Sequence, residues 1–376
     1  MKLNSPKVLF FTILLVAMSA CSSKSVYVEP QPNEQDQVEI PTVEAEPTTS
    51  EQNQGNEPAI NFIIGADASF VQEQEDLGFV YLDNGVEKDI FEILKDHGFN
   101  YIRLRIFHDP GQPDGYQFAW DESRAETYCD LEHTLEMAKR AKDAGMGLLL
   151  DFHYSDTWAY PAEQRKPAAW IDLGFEDLNQ AVYDYTFETL TRFEAEGVLP
   201  DMVQIGNEIT PGMLHPDGHT DNWDQLAELL TSGIEAVKDV NPDIKTVLHI
   251  DGVSKVDETA WWYGEAIARD VPFDVMGLSA YYEFDGEPAL WQVSLQNLAN
   301  IYPQKEIIIS EYATHYREAN DMVYELPNGI GTFMWEPTED GYWGEGLFDA
   351  DWGTMQMTTR DRINIYDQII LDYGLN

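Results

Sequence analysis

The stretch Asp130-Leu131-Glu132-His133-Thr134-Leu135-Glu136-Met137-Ala138-Lys139-Arg140-Ala141-Lys142-Asp143-Ala144-Gly145-Met146-Gly147-Leu148-Leu149-Leu150-Asp151-Phe152-His153 decides the fold. Leu131, Leu135, Ala138 and Ala141 recur at helical spacing, so Asp130 to Ala144 is expected to be an amphipathic helix. Gly145 stands just past its last turn, where a left-handed cap favours glycine. Gly147 to Phe152 then reads as a short strand whose end carries Asp151 and His153. Helix, cap, strand and polar strand end form one unit.

The unit recurs along the chain. Short β-rich runs lie at Phe62 to Ala66, Tyr101 to Phe107, Gly147 to Phe152, Met202 to Ile205, Thr246 to Ile250, Phe273 to Leu278, Glu306 to Ser310 and Gly331 to Met334. Helical stretches separate them at Glu87 to His97, Asp130 to Ala144, Asp177 to Glu196, Asn222 to Val240 and Glu258 to Arg269, with weaker ones after Trp291, Arg317 and Arg360. Gly98 repeats the cap seen at Gly145. Eight strand–helix units of this size predict a single α/β domain, a (β/α)8 TIM barrel over residues 59–376. An open doubly wound sheet is disfavoured, because no glycine-rich phosphate loop follows an early strand.

The segment before the barrel is of another kind. Lys2 and Lys7 precede the apolar run Val8 to Met18, which is too short to span a bilayer permanently. Small residues lead into Cys21, so residues 1–20 are expected to be a lipoprotein signal peptide with Cys21 lipidated, an ordinary secretory signal being the alternative. Residues 21–58 are rich in Glu, Gln, Pro, Ser and Thr and predict a disordered acidic tether. The protein is thus expected to be exported and either lipid-anchored to a bacterial membrane or cell surface, or secreted. Its membrane contact would run only through the lipid. Cys129 is the one other cysteine, which leaves no intramolecular disulfide if Cys21 carries lipid.

Charge narrows the partners. The chain carries 68 Asp+Glu against 22 Lys+Arg, a net charge of -46, and most of that excess lies in the barrel region. No basic block is present, so nucleic acid is excluded as a partner and a neutral substrate is favoured. With 43% hydrophobic and 12% aromatic residues, the body folds rather than remaining an acidic coil.

Barrels of this type carry their chemistry at the C-terminal ends of the strands. Those positions hold Asp67, Arg103, Arg105, Asp151, His153, Asn207, Glu208, His249, Asp251, Ser279, Tyr281, Glu311, Trp335 and Glu336. Glu208 and Glu311 each end an apolar strand, where burial and neighbours can separate two carboxyl pKa values into an acid and a nucleophile. Strands four and seven face each other across the mouth, and a retaining glycosidase needs its carboxyls about 5–5.5 Å apart.

Asn207-Glu208 after strand four with Glu311 after strand seven resembles the clan A glycosidases. Longer segments resemble glycoside hydrolase family 53, the endo-β-1,4-galactanases: Gly65 to Ser69, Asn100 to Arg105, Leu150 to Trp158, Lys166 to Trp170 and Met202 to Glu208. The resemblance implies a retaining endo-acting glycosidase that cleaves β-1,4-galactosidic bonds in galactan or type I arabinogalactan side chains of pectin. It implies Glu208 as acid/base and Glu311 as nucleophile, with Asn207 on the sugar 2-hydroxyl and Arg103 beside the nucleophile. Asp67, His153, Trp158, Tyr281 and Trp335 complete the expected substrate-binding set, and Trp170 is a further platform candidate. His153 reads equally well as a structural histidine.

The chain departs from the family at Tyr160, Ala280 and His215, which touch subsites around the core machinery. The short interval from Glu311 to Trp335 also bears on calcium, which the family's longer seventh loop can hold. No cofactor is required for acid–base chemistry on a glycosidic bond, and His215 with His219 lack a third ligand for zinc. The barrel is expected to act as a monomer. Two alternatives stay open: the same barrel acting on another β-linked glycan, and an inactive surface glycan-binding lipoprotein.

Overall fold

A computed structural model describes residues 62–117, 127–339 and 346–375. The expected signal peptide, Cys21 and the tether lie outside the described residues. Eight parallel strands close into a barrel: β1 (Ile63–Asp67), β2 (Tyr101–Ile106), β3 (Gly147–Phe152), β4 (Met202–Ile205), β5 (Lys245–Ile250), β6 (Val275–Ala280), β7 (Glu306–Tyr312) and β8 (Gly329–Met334). Each strand pairs with its sequence neighbours, and β8 closes on β1 through Ile63 beside Gly331 to Ala66 beside Met334. This is the (β/α)8 architecture expected from the sequence.

Among the described residues eight α-helices of seven residues or more surround it: α1 (Ile90–Asp96), α2 (Leu131–Asp143), α3 (Phe175–Ala195), α4 (Trp223–Val240), α5 (Val256–Ala268), α6 (Pro288–Ile301), α7 (Tyr316–Tyr324) and α8 (Asn364–Tyr373). The opening stretch folds as its pattern dictates. Asp130 caps α2 by accepting from the His133 N–H at 3.0 Å, a contact of the kind that contributes about 1 kcal/mol. Leu135, Ala138 and Ala141 are buried against the barrel, and Gly145 turns the chain at φ 74° into β3.

Period-two alternation sorts each strand into an outer and an inner set. On β3, Leu148, Leu150 and Phe152 pack outward beneath the helices, whereas Leu149 joins an interior layer with Ile63, Met202, Val247, Val275, Ile308 and Phe333. That apolar layer plugs the lower barrel. Gly65 belongs to it by necessity, since a Cβ there would stand 2.2 Å from the Phe333 ring. Two residues further along their strands lie the next inward side chains, Arg103, Asp151, Gln204 and His249, all buried and all polar. The strand-end candidates rest on this floor.

Strand edges moved by one or two residues from the expected ones, as when β8 begins at Gly329 and β6 at Val275. A four-stranded outer sheet, Phe348–Asp351, Gln356–Thr359, Val80–Asp83 and Val86–Glu87, was not expected. Its strands have at most four residues, and Val80–Asp83 buries only alternate side chains, so no window of the sequence is periodic for long enough to reveal it.

Candidate active site

Two backbone irregularities aim the paired glutamates. On β7, simple alternation from the inward Ile308 would turn Glu311 out of the barrel. Instead the register with β6 shifts, from Leu278 beside Ile309 to Ser279 beside Glu311, so Ser310 is an extra residue and Glu311 swings inward. Such bulges re-aim side chains at the rims of barrels. On β4 the alternation ends at Gly206, φ 84°, and Glu208 follows at φ 47°. A glutamate in the left-handed region costs about 1 kcal/mol or more, so the surrounding contacts hold it there.

Glu311 is 6% exposed and gripped from two sides. Arg103 Nη1 lies 2.8 Å from its Oε1, and the Tyr281 hydroxyl donates to its Oε2 at 2.8 Å. Arg103 is itself fully enclosed. It also pairs with Asp67 at 2.9 Å and Asp151 at 2.8 Å, and donates to Asn207 Oδ1 at 2.9 Å. Burial would lower the basicity of this guanidinium, but Asp151, Glu311 and Asp67 outweigh it and hold the charge in place. Burial raises the Glu311 carboxyl above its ordinary value, and Arg103 and Tyr281 restrain that rise.

Glu208 has weaker support. Burial, then the charge of Glu311, raise its carboxyl well above the usual range, against the pull of a Ser279 contact at 2.6 Å. Among the described residues no cation touches it as Arg103 touches Glu311; Arg103 acts on it at a distance. Gln164, from the segment after β3, donates to the backbone carbonyl of Asn207 at 2.8 Å and of Glu208 at 3.3 Å, pinning this strained turn. The Arg103 and Tyr281 contacts favour the charge on Glu311, and their absence favours the proton on Glu208. That division suits an acid and a nucleophile.

The remaining candidates divide between rim and scaffold. Trp158, Tyr281 and Trp335 are half-buried at the mouth. Phe70 meets Trp158 and Trp335 edge-on, with centroids 6.2 and 5.8 Å apart, and Arg105 lies between Phe70 and Trp158 at 4.5 and 4.4 Å from their rings. Arg105 is fixed in turn by the buried Glu336 at 2.6 Å. Asp67 is 1% exposed and committed to Arg103, Arg105 and Ser69. Burial would raise its carboxyl, but the two arginines and Ser69 outweigh that and bring it below the ordinary value.

His153 is 3% exposed, with Nδ1 accepting from the Ala159 N–H at 3.0 Å and Nε2 3.1 Å from Asp151. Both ring nitrogens serve the scaffold. Trp170 is likewise buried, packed on His108 and Tyr185 rather than lining the mouth. Asn207 keeps one amide hydrogen in reserve, the other going to the Ala159 carbonyl at 2.9 Å. Gln164 carried no sequence signal, because a lone loop glutamine resembles any solvated one. Among the described residues no three His, Cys, Asp or Glu side chains gather into an ion-binding group.

A closed (β/α)8 barrel with two differently supported carboxyls at the ends of β4 and β7 is the arrangement of a glycosidase. The comparisons make the assignment particular. Residues 63–329 match the family described as glycosyl hydrolase family 53. An uncharacterized protein of the bgaB 5′ region in Niallia circulans is 36% identical over 342 residues, 79% of this chain and 89% of that one. The arabinogalactan endo-β-1,4-galactanase of Humicola insolens is 33% identical over 309 residues, 73% of this chain and 88% of that one. The GH53 catalytic domain of Ignisphaera aggregans superposes with a TM-score of 0.72 at 34% identity, covering 82% of this chain and 96% of that structure. The chain belongs to glycosyl hydrolase family 53.

Proposed function

We propose that the protein is a retaining endo-β-1,4-galactanase that cleaves galactan or type I arabinogalactan side chains of pectin. The carrying observation is the unequal environment of the two glutamates, Glu311 clamped by Arg103 and Tyr281 and Glu208 left with a hydroxyl. Relatives named as arabinogalactan endo-β-1,4-galactanases support galactan as the substrate.

Glu208 protonates the glycosidic oxygen as the ionised Glu311 attacks the anomeric carbon. Arg103 and Tyr281 keep the Glu311 lone pairs available and aligned. The galactosyl–Glu311 ester then yields to water activated by Glu208, now a base, and two inversions return the β configuration. The reserved amide hydrogen of Asn207 suits the sugar 2-hydroxyl, and the Trp158 and Trp335 rings suit the apolar face of a pyranose. The chemistry draws on side chains of this chain alone.

Export through the segment 1–20, a lipid on Cys21 and a tether over 21–58 belong to the same proposal, with the barrel acting as a monomer. A neutral polymer avoids the repulsion that a net charge of -46 would impose on polygalacturonate. The test is digestion of galactan and a panel of β-glycans with analysis of released oligosaccharides. Galactooligosaccharides from galactan are expected. Product from another glycan alone would reassign the substrate, and none from any would remove the enzymatic reading.

A further inference from the structure

The Ser279 hydroxyl carries one hydrogen and stands between two partners. Its Oγ lies 2.6 Å from Glu208 Oε1 and 2.8 Å from His249 Nε2. The far end of this chain of contacts determines where the hydrogen goes. Arg103 has only hydrogens to offer, so the Asn207 atom it meets at 2.9 Å is the amide oxygen. His249 Nδ1 lies 3.0 Å from that same oxygen and therefore carries a hydrogen. His249 is fully buried, and burial followed by the charge of Arg103 depresses its proton affinity well below the usual imidazole value. The ring is neutral, and with its hydrogen on Nδ1 its Nε2 holds a bare lone pair. Ser279 must donate to it. The hydrogen in the Ser279–Glu208 contact then belongs to Glu208.

We propose that His249 and Ser279 are positioning residues that keep the catalytic proton on Glu208 in the resting enzyme, and that the Ser279 hydroxyl exchanges acceptors, from His249 Nε2 to Glu208 Oε1, when that proton is used. This rests on the reading of Glu208 as acid/base. The balance closes: one proton passes from the Glu208 carboxyl to the glycosidic oxygen, while Ser279 keeps its own hydrogen and merely turns it. The carboxylate left behind gains a donor at the moment it becomes charged. The restoring step reverses both moves.

The other groups acting on Glu208 cannot substitute for this arrangement. Glu311 and Asp251 raise its proton affinity, Arg103 lowers it, and Tyr281 directs its hydroxyl to Glu311. His249 feels Arg103 and His153, both of which disfavour a cation on the ring. Among the described residues that act on Glu208, Ser279 alone has two alternative acceptors, and His249 supplies the second.

His249→Phe retains a ring but removes that acceptor, so Ser279 donates to Glu208 permanently and favours the carboxylate. The basic limb of kcat/KM, set by the acid, is expected to move to lower pH by about one unit, with the acidic limb unmoved. Ser279→Ala, which deletes the donor to the carboxylate, is expected to move the basic limb the other way. Two readouts need no turnover. The infrared band of the protonated carboxyl that disappears in Glu208→Gln is expected to titrate at lower pH in His249→Phe. Nitrogen NMR of the unmutated protein is expected to show His249 neutral with its hydrogen on Nδ1. An unmoved limb and band in His249→Phe, or an imidazolium or Nε2-protonated His249 at neutral pH, would overturn the proposal. Full activity of Glu208→Gln would instead remove the acid role and leave the spectra to judge where the proton sits.

Discussion

Glu208 and Glu311 end two strands of the same barrel, yet the ground beneath them differs. Behind Glu311 stands a guanidinium held by two further carboxylates, with a phenol on its other oxygen. Behind Glu208 stand a serine hydroxyl and a neutral histidine, on a turn whose backbone is strained at φ 47°. Both carboxyls are lifted by burial, but only one has a cation in contact to offset it. The same residue type is thereby biased toward the ionised form at Glu311 and toward the protonated form at Glu208 by its neighbours. Arg103 and Arg105 are in contact with Asp67, Asp151, Glu311 and Glu336, whereas Glu208 is held by a hydroxyl.

Removing either member of the pair is expected to have the largest effect. Glu311→Gln should lower kcat with galactan by about 10⁴-fold or more, and Glu208→Gln by about 10²–10⁴-fold, with circular dichroism unchanged. Glu208→Ala regaining turnover with added azide, which Glu311→Ala would do only with the opposite product anomer, sharpens the division.

Breaking the support of Glu311 should come next. Arg103→Met leaves Asp67, Asp151 and Glu311 without their shared cation, and a fall of about 3–5 kcal/mol in unfolding free energy is expected by denaturant titration. Tyr281→Phe is gentler. It deletes one donor to the Glu311 carboxylate, so that carboxyl rises and the acidic limb of kcat/KM should shift to higher pH, with kcat down by about 10-fold. An unshifted acidic limb would place the ionising group elsewhere.

The smallest effect has the opposite sign. Because the Glu208 carboxyl is raised in the fold, the folded state holds a proton that the unfolded chain has already released above the ordinary carboxylate range, and stability falls as pH rises through that window. Gln in its place removes the titration. Glu208→Gln is expected to raise Tm by about 2–4 °C at pH 7, with the gain vanishing below the ordinary carboxylate value. A Tm gain independent of pH would mean that strain, not charge, is relieved.

Much of this was legible in the chain. Helical spacing and glycine caps marked the units of the barrel, and the strand-end positions brought Glu208, Glu311, Asn207 and Arg103 onto one rim. What stayed hidden depends on geometry that no local pattern encodes. The bulge at Ser310 reverses the alternation that would have turned Glu311 outward. The commitments of His153 and Asp67 to neighbours come from packing, which residue type alone does not reveal. His249 and Ser279 could be placed at strand ends, but their hydrogen-bond order follows only from which atoms meet. Gln164 reaches the site from a loop with no periodicity to mark it.

The division of labour between the two glutamates is tested most directly by trapping the enzyme with a 2-deoxy-2-fluoro-β-galactoside bearing a good leaving group and mapping the labelled peptide by mass spectrometry. The expected result is one added fluorogalactosyl group on Glu311, with Glu208 unmodified. A label on Glu208, or hydrolysis that gives the α-anomer first and leaves no covalent adduct, would contradict it.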